Sequence, residues 1–266
     1  MLNRFRSLFG PASSGPLPAI PPGERVYAVG DVHGRLDLLE AMIAAIDADD
    51  AASRPAETTI ILLGDLVDRG PDSAGVIAAA RTWRGQRAVR ILLGNHEEML
   101  LQAFDSDEVM RQFLRFGGRE TVLSYLAEPD QYHRADLAGA RELMLAAIPD
   151  ADIDFIRSFE DSVAIGDYLV VHAGVHPDAP LDDQKLSDLR WIREPFLSHD
   201  GSFGPVVVHG HTITDKPQVR RNRIGLDTGA YRSGRLTALG LQGTQRWLIE
   251  VCDNDGTITA TTRDLA

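Results

Sequence analysis

Short apolar runs alternate along this chain with segments in which apolar residues recur every three or four positions. Residues 25–29 read as extended, and Leu39, Met42, Ile43 and Ile46 then fall on one face of a helix. Residues 58–63 form an unbroken β-branched and leucine run, as expected of a strand buried on both faces, and 73–83 return to helical spacing. Residues 89–93 make a third strand. From Glu97 to about Phe159 the signals are helical, interrupted at Phe116-Gly117-Gly118 and Pro129, which predicts a helical insert, about 100–160, lying beside the sheet and able to cover a cleft. Strands dominate afterwards, at 162–165, 168–171, 206–208, 223–226, 236–241, 247–251 and 257–261. The alternation predicts an α/β fold, and no repeat of fixed period competes with it.

Ahead of the first strand, Arg4 and Arg6 stand among scattered Leu and Phe, and residues 11–22 are rich in Pro, Ser and Gly. Residues 1–22 are therefore expected to be a flexible leader rather than a membrane-touching turn, with 23–266 as a single domain. The leader lacks the apolar core of a signal peptide, and no run reaches the ~18 apolar residues of a membrane span.

Composition narrows the functional classes. With 266 residues, 44% hydrophobic and 25% charged, the chain can bury a core without staples. A net charge of -12 works against capture of nucleic acid or an anionic membrane. Cys252 is the single cysteine, so an intrachain disulfide and a cysteine metal cluster are both excluded, and a cytoplasmic location is expected.

The chemistry lies in five variations on one phrase: YAVGDVHG, ILLGDLVDRG, ILLGNHEE, LVVHAGVHPD and VVVHGHT. Each is an apolar strand that breaks at or near a glycine and presents Asp, Asn or His. In open α/β sheets ligands bind at the carboxyl ends of strands, so five such ends imply one shared site. Asp31, His33, Asp65, Asn95, His172 and His211 offer carboxylate, amide and imidazole without sulfur, a set suited to two divalent ions such as Mn²⁺, Fe or Zn²⁺ rather than to calcium. Any one of them alone is more often a helix cap or a solvated side chain. His133, His176 and His199 show no partner pattern and are expected to be solvated, while His209, two positions before His211, is expected to support the site from behind.

Gly30-Asp31-Val32-His33-Gly34, Gly64-Asp65-Leu66-Val67-Asp68-Arg69-Gly70 and Gly94-Asn95-His96-Glu97, followed by His172-Ala173-Gly174 and Gly210-His211-Thr212, resemble the signature segments of the PPP-type metallophosphatases, within the calcineurin-like metallophosphoesterase superfamily. The segment Gly117-Gly118-Arg119-Glu120-Thr121-Val122-Leu123-Ser124-Tyr125 is more similar to prokaryotic members. The resemblance implies a central β-sandwich flanked by helices, with Asp31 and His33 on a first metal, Asn95, His172 and His211 on a second, and Asp65 between them. It also implies direct attack on phosphorus by a hydroxide bridging the metals, His96 as general acid oriented by Asp68, and Arg69 and Arg193 as a guanidinium clamp. Tyr231 matches a tyrosine over the site in some members and an apolar residue in others, so site and core remain open for it.

The expected function is removal of phosphate from phosphoserine and phosphothreonine in proteins. The alternative is hydrolysis of symmetrical dinucleoside tetraphosphates or small phosphorylated metabolites by the same site. A catalytically dead docking module is disfavoured because the six ligands and His96 are all present, and a nuclease by the acidic balance. Metal identity, oligomeric state and regulatory partners are not read from the sequence, and the insert carries no substrate-defining motif.

Overall fold

A computed structural model describes residues 17–265. Its strands form two sheets. The first has the order β11-β10-β9-β1-β2-β3, built from β1 (Glu24–Val29), β2 (Glu57–Leu62), β3 (Val89–Ile91), β9 (Arg235–Gln242), β10 (Gln245–Asn254) and β11 (Thr257–Asp264). The second has the order β4-β5-β6-β8-β7, built from β4 (Ser162–Ile165), β5 (Tyr168–Val171), β6 (Val206–His209), β7 (Gln218–Val219) and β8 (Arg223–Gly225). Strands β1, β2 and β3 are mutually parallel, and so are β5, β6 and β8. This is the two-sheet sandwich that the resemblance implied.

Side-chain alternation explains the layering. On β1, Val26 and Ala28 face the second sheet and meet Val170, Val208 and Ile224. Tyr27 and Val29 point the other way, into a core shared with α1 (Leu36–Ala52) and α2 (Ser73–Gln86). Both faces are covered, which is why the parallel strands read as continuous apolar runs. Val171 and Val207, on the outer face of the second sheet, pack on Leu189, Ile192 and Phe196.

The insert consists of α3 (Asn95–Ala103), α4 (Asp107–Phe113), a π-helical turn (Leu114–Gly118), α5 (Arg119–Tyr125), α6 (Asp130–Arg134), α7 (Leu137–Ala147) and α8 (Asp150–Arg157). Two short helices, α9 (Leu186–Trp191) and α10 (Ala230–Ser233), and strand β7 have no counterpart in the expected elements, since none is long enough to show a period. Among the described residues no helix is long and apolar enough to cross a membrane.

The expected leader needs one correction. Residues 1–16 lie outside the described residues, but from Pro18 onward the chain is pinned rather than loose. Ala19 N donates to Asp167 Oδ2 and Asp167 N donates to the Ala19 carbonyl, each at 2.9 Å, while Ile20 N donates to the Gly243 carbonyl at 3.0 Å. Ile20 is 3% exposed and closes the apolar layer between the sheets. The Pro-rich composition hid this anchor, because a single apolar residue in a loop carries no period. Ile20→Ala should lower unfolding free energy by about 2–4 kcal/mol in urea titrations, and an unchanged midpoint would show that the contact contributes nothing.

Candidate metal centre

Parallel pairing brings the carboxyl ends of β1, β2 and β3 to one edge of the first sheet, and those of β5, β6 and β8 to one edge of the second. Asp31 and His33 follow β1, Asp65 follows β2, Asn95 opens α3 beyond β3, His172 follows β5 and His211 follows β6. All six are buried. The turns that present them are strained: His33, Asp65, Asp68, Arg69 and His211 have φ of 47°, 50°, 74°, 68° and 62°, and Asp255 is the one other non-glycine with positive φ among the described residues. Left-handed backbone at non-glycine residues persists only where surrounding structure enforces it.

Glu97 supplies much of that enforcement. Its buried carboxylate accepts from Asp65 N (2.9 Å) and Gly94 N (3.0 Å) on one oxygen, and from Leu66 N (2.6 Å) and Val67 N (3.2 Å) on the other. Burial and the neighbouring Asp65 charge raise its pKa, and these backbone donors work in the opposite direction. The imidazoles are aimed in a similar way: His33 Nδ1 donates to the Val67 carbonyl and His172 Nδ1 to that of Leu63, each at 2.8 Å, so both Nε2 lone pairs point inward.

The donors converge as two groups that share Asp65. Asp65 Oδ2 lies 3.5 Å from His33 Nε2 and 4.0 Å from His96 Nε2, while Oδ1 lies 3.5 Å from His172 Nε2. Ligand atoms of His33, Asp65 and His96 fall within 4.8 Å of one another, as do those of Asp65, His172 and His211. Asn95 Oδ1 joins the second group, 3.1 Å from His172 Nε2 and 2.8 Å from His211 Nδ1. Asp31, expected beside His33, stands just outside the tight group, and His96 occupies that place. The Asp31 Oδ2 accepts from His211 N at 2.9 Å, and a Cβ on Gly210 would come within 2.0 Å of Oδ1, so only glycine leaves room for this carboxylate.

The donor chemistry fits divalent ions. Burial lowers the pKa of His33 to about 3 and of His211 to about 2, and lowers that of His172, leaving neutral rings able to ligate. Asp31 is raised by burial and by the charges of Asp227 and Asp65, a local excess of negative charge that a cation would relieve. Asp31 Oδ1 is buried without a hydrogen-bond partner, as expected of an atom reserved for an ion.

Around these donors stand the other expected residues. His96 Nδ1 is 2.6 Å from Asp68 Oδ2, and the other Asp68 oxygen accepts from Thr121 Oγ1 at 2.6 Å. The Arg69 guanidinium donates to His33 Nε2 (2.8 Å) and His96 Nε2 (2.7 Å) and lies 5.0 Å from the Tyr231 ring centroid. Tyr231 is also edge-on to His33 at 5.4 Å, which places it at the site. Arg193 is exposed, and its charge is near enough to depress His172 and His211. Glu98 ties α9 to α3, accepting from Arg190 (2.6 Å) and Trp191 Nε1 (2.5 Å). His209 packs behind, its Nδ1 3.0 Å from the Gly210 carbonyl and its ring edge-on to Phe196 at 5.0 Å. His133 is exposed; His176 and His199 are half-buried rather than solvated, in a loop hydrogen bond and a contact with the Phe203 ring.

Three contributors escaped the sequence reading. Glu97, three residues after Gly94, has capping-box spacing and was legible in principle. Thr121 lay in the segment similar to prokaryotic members, without any sign of its partner. Asp227 follows Ile224-Gly225-Leu226 and repeats the strand-glycine-acid phrase a sixth time.

The chain belongs to the calcineurin-like phosphoesterases, the family that matches residues 24–234. It is a metal-dependent phosphoesterase, a hydrolase of phosphorylated substrates. Among its relatives, serine/threonine-protein phosphatase 1 of Salmonella typhimurium is 30% identical over 82% of this chain and 92% of its own length. The symmetrical bis(5'-nucleosyl)-tetraphosphatase of Paracidovorax citrulli is 27% identical over 82% and 93%. A cold-active protein-tyrosine phosphatase of a psychrophilic Shewanella shares the fold, with a TM-score of 0.53 at 20% identity over 91% of this chain and 83% of that one.

Because Asp65 faces both groups, Asp65→Asn should reduce bound metal at both positions together. Asn95→Ala should retain the ion beside Asp31 and His33. Elemental analysis of the two purified variants reads this, and full metal content in the Asp65 variant would rule out the shared carboxylate.

Proposed function

We propose that this chain is a phosphomonoesterase acting on phosphoserine and phosphothreonine in proteins. Asp31, His33 and Asp65 hold one divalent ion, Mn²⁺, Fe or Zn²⁺, and Asp65, Asn95, His172 and His211 hold another. The observation that carries the reading is the buried His96–Asp68 pair at 2.6 Å, set against the carboxylate that both metal groups share. When bound, the ions would supply Lewis acidity toward the phosphoryl group and a water acidic enough to act as nucleophile near neutral pH.

The remaining chemistry belongs to the side chains. Asp68 takes the Nδ1 hydrogen of His96, leaving Nε2 as the atom that delivers a proton to the departing alkoxide. Burial opposes the imidazolium, but Asp65 and Asp68 outweigh it and raise the His96 pKa, which favours the acid form. Arg69 now spends its donors on two imidazole nitrogens, which leaves His96 Nε2 without a proton; on substrate binding the donors pass to the phosphoryl oxygens, and the freed Nε2 takes from solvent the proton that it then delivers. Arg193 supplies a second guanidinium against charge developing on those oxygens.

Two guanidinia match one phosphoryl group, and a net charge of -12 disfavours gathering a polyphosphate chain, so a phosphopeptide suits the site better. One observation favours the second reading, a dinucleoside tetraphosphate. Phe116 is 50% exposed and its carbonyl lies 3.5 Å from Arg69 Nε, so its ring offers a stacking surface beside the site.

Side-by-side assays of Mn²⁺-loaded protein should give a kcat/KM at least tenfold higher for a phosphothreonine peptide than for diadenosine tetraphosphate. The reverse preference, lost in Phe116→Ala, would establish the second reading. His96→Asn should keep both ions yet lower turnover of the peptide by about 10²–10⁴-fold, with a smaller loss on p-nitrophenyl phosphate, whose leaving group needs no proton. Equal losses on both substrates would remove the acid role.

A further inference from the structure

We infer that Asp227 is a further metal-directed side chain, which joins Asp31 and His33 around the first ion and raises the affinity of that position. The inference rests on the two-ion reading above and goes beyond its six ligands.

Asp227 follows β8 at the sheet edge that also presents His172 and His211. It is 1% exposed. Its Oδ1 accepts from Gly229 N at 2.8 Å, while its Oδ2 is buried with no hydrogen-bond partner. Asp31 has an orphaned oxygen of its own, since its Oδ1 is also buried and unpartnered. Two acids side by side, each with an orphaned oxygen away from water, are costly unless a cation serves both. The Arg69 guanidinium does not serve these acids, since its terminal nitrogens are engaged by His33 and His96.

The backbone enforces this pairing. Gly30 N donates to the Thr237 carbonyl, and a Cβ on Gly30 would lie 2.8 Å from the Leu226 carbonyl oxygen, so the segments preceding Asp31 and Asp227 approach to a distance only glycine allows. The Asp227 carbonyl accepts from Thr214 N at 3.0 Å, which holds the turn in place. With Asp227 included, the first position has three carboxylates and one imidazole. The second has one carboxylate, one amide and two imidazoles. The first is thus the harder, more oxygen-rich site.

The test strips full-length wild type, Asp227→Asn and Asp31→Asn with chelator and titrates each with Mn²⁺ alone by calorimetry, with thermal melts before and after loading. Asparagine keeps the oxygen that accepts from Gly229. Asp227→Asn should bind one ion as wild type does and the other at least tenfold more weakly. Its metal-free form should melt no lower than metal-free wild type, while its gain on Mn²⁺ addition should be smaller. Two ions bound with wild-type affinities by Asp227→Asn would overturn the inference. So would a metal-free variant that fails to fold, because the carboxylate would then be a structural support. A wild type that takes up fewer than two ions, or an Asp31→Asn variant that retains both at full affinity, would instead overturn the underlying two-ion reading.

Discussion

The site depends on one buried carboxylate that never faces the substrate. Glu97 gathers the backbone N–H groups of Asp65, Leu66 and Val67, together with that of Gly94, and so clamps the β2 turn against the start of α3. The turn carries Asp65, Asp68 and Arg69, each in left-handed backbone. Such residues cost ~1–3 kcal/mol apiece, and hydrogen bonds return ~0.5–1.5 kcal/mol each. The clamp and the strain are of the same order, so the loop holds a shape that it would not adopt alone. Because Glu97 lies two residues beyond Asn95, a single helix start both donates to the second metal group and sets the angle of the shared aspartate.

What could be read from sequence follows from which interactions are local. A buried parallel strand ending in glycine and a polar residue is contiguous, so five strand ends and the gathering there of Asp31, His33, Asp65, Asn95, His172 and His211, with His96 and Arg69 beside them, were legible before any coordinates. The sandwich needed the resemblance as well, since no run of residues states which sheet it joins. The support for Asp68 was not legible: Thr121 is 53 positions away and meets it through a helix whose own pattern concerns the core. Ile20 was missed because one anchored side chain among prolines has no period. The exchange of Asp31 for His96 in the tight group depends on ångström-scale placement, which spacing does not encode.

The helical insert does two things at one point. Gly117, at the break between its helices, accepts from Arg69 N through its carbonyl at 3.0 Å, and Thr121 fixes Asp68. The same turn exposes Phe116 beside Arg69. One segment thus supports Asp68 and Arg69 from behind and presents an exposed ring beside them. The insert lies outside the strand ends that carry the metal-directed side chains, and the family's fold is shared by relatives named for both protein and dinucleotide substrates.

The division of the donors between the sheets has a further consequence. The first sheet and the helix after it bring Asp31, His33, Asp65 and Asn95 to this edge; the second brings His172, His211 and Asp227. At this edge the apolar layer between the sheets gives way to buried carboxylates and neutral imidazoles, groups that repel or fail to satisfy one another. Ions bound here by side chains of both sheets would crosslink the sandwich, and their binding free energy would add to that of folding. Apolar packing can then hold the far edge alone, while the catalytic edge stays poised for cations because it has no equally good arrangement of its own.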